Sequence, residues 1–365
     1  AVGCATTRQA PAPTDVPAPT TPAPAASAPL VSGYHVYWSN DAWEKYPFDV
    51  LDTVFFFDLE VGAEGRIVRP HGWPDRWLAM QRHAAQRGVE VVPVVSIMDA
   101  TAFRQLFESE SARAVLRDEI IALFEDFPET DGVQLDFEVF VPVPAGIREN
   151  VTAFVRDLDA AMQTAVPGKS LSMFLLAYDE ADVFDEAALA EIVDYVIVQG
   201  YDLHARGDEQ AGPVAATRGW GRRNWSFILE RYRGLGVPLD HIVMAVPYFG
   251  YEWPTASEDP KSRTRGPGIS MTLAPVDSVH GGSGRLAART RADSLGLKRD
   301  AESGIPYYTH ADSSGAFQGW FDDEESLASK YRFVLENGLR GVAIFPLAYG
   351  DERTHAPLRQ VFGTP

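Results

Sequence analysis

Short apolar runs recur along this chain with helical patterns between them, and that rhythm leaves few folds open. The runs are VSGYHVYW (31–38), DTVFFFDL (52–59), VEVVPVVS (89–96), GVQLDFEV (132–139), SLSMFLLA (170–177), VDYVIVQGYD (193–202), HIVMAVPYF (241–249) and RGVAIFPLA (340–348). Near-continuous apolar character marks strands buried on both faces, the condition of a parallel sheet. Between them, apolar residues repeat at helical spacing. Val151, Phe154, Val155, Leu158 and Met162 form one such stripe, and Leu116, Ile120, Leu123 and Phe124 another. Eight strands joined by mostly single helical crossovers predict an α/β fold, a (β/α)8 TIM barrel. The repeat runs at about 25 to 50 residues per unit up to the seventh strand. The gap before the eighth is far longer, which predicts an insertion between strands 7 and 8, at about 250–320.

The barrel domain is predicted over 31–365. Ahead of it, residues 5–30 hold seven prolines and no aromatic side chain. Such a stretch buries too little apolar area to fold and reads as an extended, disordered tether. Before it stands Ala1-Val2-Gly3-Cys4, which is similar to the end of a bacterial lipoprotein signal. The resemblance implies lipidation of Cys4 and a lipoprotein-type N-terminus over 1–30. It also implies an exported protein held at a bacterial cell envelope, on the outer membrane or cell surface. Cys4 is the single cysteine, which excludes a disulfide within the chain and a cysteine-built zinc site.

A formal net charge of −19 argues against nucleic acid and against an anionic bilayer as partners. A membrane would then be reached only through Cys4. A monomer is expected. The eight histidines show no metal-ligand spacing, so no metal and no cofactor are expected, and His35 and His204 read as hydrogen-bonding residues.

The chemistry concentrates in Asp131-Gly132-Val133-Gln134-Leu135-Asp136-Phe137-Glu138. Alternation puts Gln134, Asp136 and Glu138 on one face of a strand and Val133, Leu135 and Phe137 on the other. Burying neighbouring carboxylates is costly, and each disfavours ionisation of the next. A carboxyl group kept protonated near neutral pH in this way is a general acid. Other predicted strand ends add Tyr37 and Trp38, Asp58, Ser96, Tyr178 and Asp179, Gln199 with Tyr201 and Asp202, Tyr248, and Tyr349 with Asp351. In a barrel these ends share one rim. Rings interleaved with acids and amides suit a carbohydrate, whose flat faces stack and whose hydroxyls hydrogen-bond.

These residues resemble glycoside hydrolase family 18, the chitinase-like family. Its fourth-strand signature is DG-x-D-x-D-x-E, and DGVQLDFE fits with Gln134 at the middle Asp. Gln199-Gly200-Tyr201-Asp202 is similar to its sixth-strand motif, and MAVPYFGYEW to its seventh. The resemblance covers about residues 31 to 350 and implies a glycosidase acting on a carbohydrate polymer or oligosaccharide. It makes Glu138 the proton donor, while Asp136 stabilises and orients the substrate's 2-acetamido group, which Tyr201 hydrogen-bonds. Asp131 would buffer Asp136 from deeper in the barrel. Gln134, Gln199, Asp202, Tyr34, Trp38, Tyr248 and Phe345 would bind substrate, Phe345 standing where the family carries a tryptophan. The acetamido oxygen would replace an enzyme nucleophile. With an amide at 134, the pH profile should move without loss of the acid. Trp253 and Trp320 read equally as sugar platforms or as core. Two other readings stay open: a carbohydrate-binding protein without catalysis, and a conventional retaining glycosidase with Asp202 or Asp136 as nucleophile.

Overall fold

The computed structural model describes residues 28–276 and 286–363; Cys4 and most of the tether lie outside them. Eight parallel strands form a closed barrel: β1 (Leu30–Val36), β2 (Thr53–Val61), β3 (Glu90–Ile97), β4 (Gly132–Phe137), β5 (Ser170–Leu175), β6 (Tyr195–Val198), β7 (Ile242–Pro247) and β8 (Gly341–Phe345). Each pairs with its neighbours in order, and β8 returns to β1. Helices cover the outside with the stripes the spacing predicts: helix Ile147–Ala165 buries Val151, Phe154, Val155, Leu158 and Met162. No helix among the described residues is long and apolar enough to cross a membrane.

Alternation in β4 sorts its side chains between two environments. Phe137 points outward, its ring 5.6 Å from that of Phe107 and 6.2 Å from that of Phe103 on helix Ala100–Glu108. Gln134 points inward and donates its amide across the barrel to the Tyr34 hydroxyl of β1 at 2.6 Å. Gly132 is required where β4 meets β5: a Cβ there would stand 2.0 Å from Ser170 Oγ.

The lower rim, where the strands begin, has a repeated device. Asp52 precedes β2 and accepts the Val31 N–H at 2.8 Å; Asp131 precedes β4 and accepts the Val91 N–H at 3.0 Å; Asp194 precedes β6 and accepts the Leu171 N–H at 2.9 Å. Each aspartate thereby ties the first turn of its strand to the strand before it.

Between β7 and β8 the chain builds a six-stranded sheet of its own, including strands Phe249–Thr255, Pro306–Asp312 and Gly315–Trp320. Trp253 and Trp320 are its core, with no exposed surface; Tyr307 stacks on Trp320 at 4.4 Å. They are packing residues and not sugar platforms.

Candidate active site

The upper ends of the strands bring the acids together. Asp136 of β4 is buried, and Glu138 follows one full alternation later, half-buried at the mouth. The Glu138 N–H is held by the Ile97 carbonyl at 3.2 Å, which fixes the chain just past the strand. Asp202 enters from the loop after β6. Its backbone is left-handed (φ 56°), a conformation aspartate tolerates. Its Oδ1 accepts the Tyr251 hydroxyl at 2.8 Å. Gly200 before it admits no side chain, since a Cβ would meet the Ala245 carbonyl oxygen at 2.2 Å; this close contact lets the Gln199–Asp202 segment turn over the barrel.

Burial is the first cause of every acid's shift here. It pushes Glu138 up to about 7, with the Asp202 carboxyl adding to the rise. It pushes Asp202 up to about 6, opposed by the Tyr251 hydroxyl. Asp136 is held well above the usual carboxylate range by burial, then by Glu138 and Asp58. One group that stays protonated near neutrality therefore stands beside others that compete for charge. That is the electrostatic requirement for protonating a leaving oxygen next to a developing positive centre.

Aromatic rings form the floor. Phe345 at the end of β8 lies 5.4 Å from Tyr34, 5.6 Å from Phe57 and 5.9 Å from Tyr201, the last nearly parallel at 28°. Trp38 stands edge-on to Phe57 at 6.0 Å and donates Nε1 to the Tyr349 hydroxyl. A cleft of about 300 Å³ opens beside this floor, lined in part by Tyr178, Gln199, Tyr201, Asp202 and Arg222. A larger concavity, about 850 Å³, lies at the opposite end among Asp52, Glu90, Ser170 and Asp194, away from Asp136, Glu138 and Asp202.

The structure gathers Glu138, Asp136, Tyr201, Asp202, Gln199, Phe345 and Trp38, and corrects four other expectations. Asp131 sits at the lower rim, five residues or roughly 16 Å of extended strand from Asp136, and its carboxylate is engaged by the Val91 N–H. It cannot buffer Asp136. Tyr248 is fully buried away from the cleft, its hydroxyl in hydrogen-bonding contact with Tyr331 and the Thr354 carbonyl, so it packs the helices behind β7. Tyr34 and Gln134, 1% and 0% exposed, lie beneath the floor and bond each other, bracing the site without reaching its mouth. His35 and His204 are buried in hydrogen bonds to the Tyr46 hydroxyl and the Pro213 carbonyl, as expected.

The sequence places Asp58 only among the polar strand ends of the rim and assigns no role to Phe57, His71 or Tyr251. Asp58 accepts the Ser96 hydroxyl at 2.5 Å, and Ser96 is the register partner of Asp136. His71 reaches Glu60 at 3.1 Å and stacks flat on Tyr37 at 3.5 Å. Arg69 forms an ion pair with the other Glu60 oxygen. Asp58, Glu60 and His71 bring donor atoms within 4.8 Å of one another, but with His71 and Arg69 both directed at Glu60 they form a charge chain. Tyr251 lies inside the seventh-strand motif and was within reach of a closer reading. His71 lies in a loop whose return to β2 no local pattern announces.

Comparison with known proteins agrees with this geometry. The description "Glycosyl hydrolases family 18" matches residues 32–350. Di-N-acetylchitobiase of Mus musculus is 23% identical over 236 residues, 61% of this chain and 63% of the mouse protein; the shared region is thus less than two thirds of either. A chitinase from Chromobacterium violaceum superposes with a TM-score of 0.71 at 20% identity, over 93% of this chain and all of the other. A chitinase variant from Cycas revoluta, solved in complex with (GlcNAc)4, superposes with a TM-score of 0.74 at 18% identity, over 92% of this chain and 98% of the other. At these identities the structural likeness speaks for the barrel, and the family match covers most of the chain. This chain belongs to glycosyl hydrolase family 18.

Proposed function

We propose that this protein hydrolyses β-linked glycans containing N-acetylglucosamine, with Glu138 as general acid and the substrate's acetamido oxygen as nucleophile. The observation that carries the reading is the pair Asp136, at the end of β4, and Glu138, just past it, above a floor of aromatic rings. Glu138 gives its proton to the glycosidic oxygen as the bond to the anomeric carbon breaks. The acetamido oxygen closes on that carbon, and ionised Asp136 stabilises the positive charge left on the ring so formed. Tyr201 hydrogen-bonds the acetamido group. Water then attacks the same carbon and returns a proton to Glu138, so configuration is retained. A solved relative that holds (GlcNAc)4 and a relative named for chitobiose support this substrate class.

The test compares acetylated with de-acetylated oligosaccharides. Wild type should cut only the acetylated chains, and Glu138→Gln should lower kcat by about a thousandfold. Equal cutting of both would sink the acetamido mechanism and favour Asp202 or Asp136 as nucleophile. Tight binding without turnover would leave a carbohydrate-binding protein.

The anchor is a separate proposal. Cys4, at the head of a Pro-rich segment, would carry lipid and hold the barrel at the cell envelope. Palmitate labelling that persists in Cys4→Ser would remove it.

A further inference from the structure

The family motif places an acid at the position of Gln134, and the amide there donates to Tyr34. The carboxylate that would act on Asp136 from below is therefore absent from β4, yet Asp136 keeps a buried oxygen, Oδ1, without a hydrogen-bond partner. A second carboxylate does lie across the strands. Asp58 of β2, Ser96 of β3 and Asp136 of β4 form a row on adjacent strands, and all three are buried. The Ser96 hydroxyl donates to Asp58 Oδ2. Asp58 Oδ1 is also buried without a hydrogen bond and points toward His71 Nε2 at 3.6 Å, just outside bonding distance.

We infer that Asp58 does the work of the missing motif acid: it is a positioning residue, held by the Ser96 hydroxyl, that controls the charge on Asp136 from across β3, with His71 approaching its free oxygen. The inference rests on the proposed reaction. Two buried carboxyls on neighbouring strands, each disfavouring ionisation of the other, hold one proton between them most easily. When Asp136 ionises to face the substrate ring, the proton resides on Asp58; when Asp58 is ionised, Asp136 holds it. Net charge of the pair stays at one negative unit. The rise of Asp58 to about 6 by burial agrees, as does its share in raising Asp136.

The groups that face this row come from every neighbouring element. Tyr34 approaches from β1 and Tyr37 from just after it. Glu60, Arg69 and His71 approach from the end of β2 and its hairpin, Glu138 from β4, and Tyr201 and Asp202 from β6. Among them only His71 approaches Asp58 Oδ1 as a donor.

The test uses Asp58→Asn, Gln134→Asp, the double variant and His71→Gln, read by kcat against pH and by 13C NMR titration of the Asp136 carboxyl. Asp58→Asn should lower kcat at least tenfold and shift the Asp136 titration toward the ordinary carboxylate range, at a melting temperature close to wild type. Gln134→Asp in that background should restore most of both. If Asp58→Asn does not fold, His71→Gln decides, since it too should move the Asp136 titration. An unmoved Asp136 titration in the folded variant, or a double variant that recovers nothing, overturns the inference. The NMR readout needs no substrate. A wild type that cuts no acetylated glycan while Asp58 and Asp136 remain coupled would therefore overturn only the proposed reaction.

Discussion

The two ends of the barrel are both ringed with acids, and they use them in opposite ways. At the lower rim Asp52, Asp131 and Asp194 each accept a backbone N–H from the preceding strand. At the upper rim Asp58 and Asp136 are buried and Glu138 and Asp202 half-buried, and all four are pushed above the usual carboxylate range. The lower carboxylates spend an oxygen on a backbone N–H of the neighbouring strand, so they hold strands together. The upper ones are desolvated close to one another, so they compete for protons and are available for chemistry. Acidic residues alone distinguish neither end; what each carboxyl is packed against does.

The largest effect that would break this contrast is at Asp136. Asp136→Ala should lower kcat by about a hundred- to a thousandfold with KM moved only a few-fold, because the lost interaction belongs to the charged intermediate. A change confined to KM would place Asp136 in ground-state binding. Next comes the pH dependence of stability at Glu138. A carboxyl raised in the fold disfavours its own ionisation, so wild type loses stability as pH climbs from the ordinary glutamate range through about 7. Glu138→Gln should therefore be the more stable protein above pH 8, by on the order of 1–3 kcal/mol, with no advantage near pH 4. Denaturant melts at the two pH values check this, and the same protonation predicts that wild-type kcat/KM falls as pH rises through about 7. Asp131→Ala should do the reverse of both upper-rim variants. It should cost about 1–2 kcal/mol of stability, by leaving the Val91 N–H unpaired, and leave kcat unchanged. A tenfold loss of kcat at constant stability would restore Asp131 to the catalytic set. The smallest effect belongs to the floor: Phe345→Leu should raise KM about three- to tenfold, since it removes stacking area and no charge.

The eight-strand rhythm was legible because parallel strands are buried on both faces and write themselves as apolar runs. The Asp136–Glu138 pair was legible because side chains alternate along a strand, whatever surrounds it. The same rule misled at Asp131, since one motif eight residues long spans the height of the barrel, and a shared motif is not a shared place. Tyr248 reads like a rim aromatic, yet the helix that covers it, Glu352–Phe362, arrives from more than a hundred residues further on. Asp58 was visible as a polar strand end. Its connection to Asp136 depends on which strands stand side by side.

The sequence by itself determined the barrel, the order of its strands, the inward face of β4 and the identity of the acids at its upper end. Each of these follows from local periodicity, from steric limits such as those at Gly132 and Gly200, and from the cost of burying charge. The tertiary structure alone decided which acids meet the N–H of a neighbouring strand and which meet one another. That depends on atoms brought within about 3 Å across strands distant in the chain, and a hydrogen bond over such a span leaves no mark on the residues between its ends.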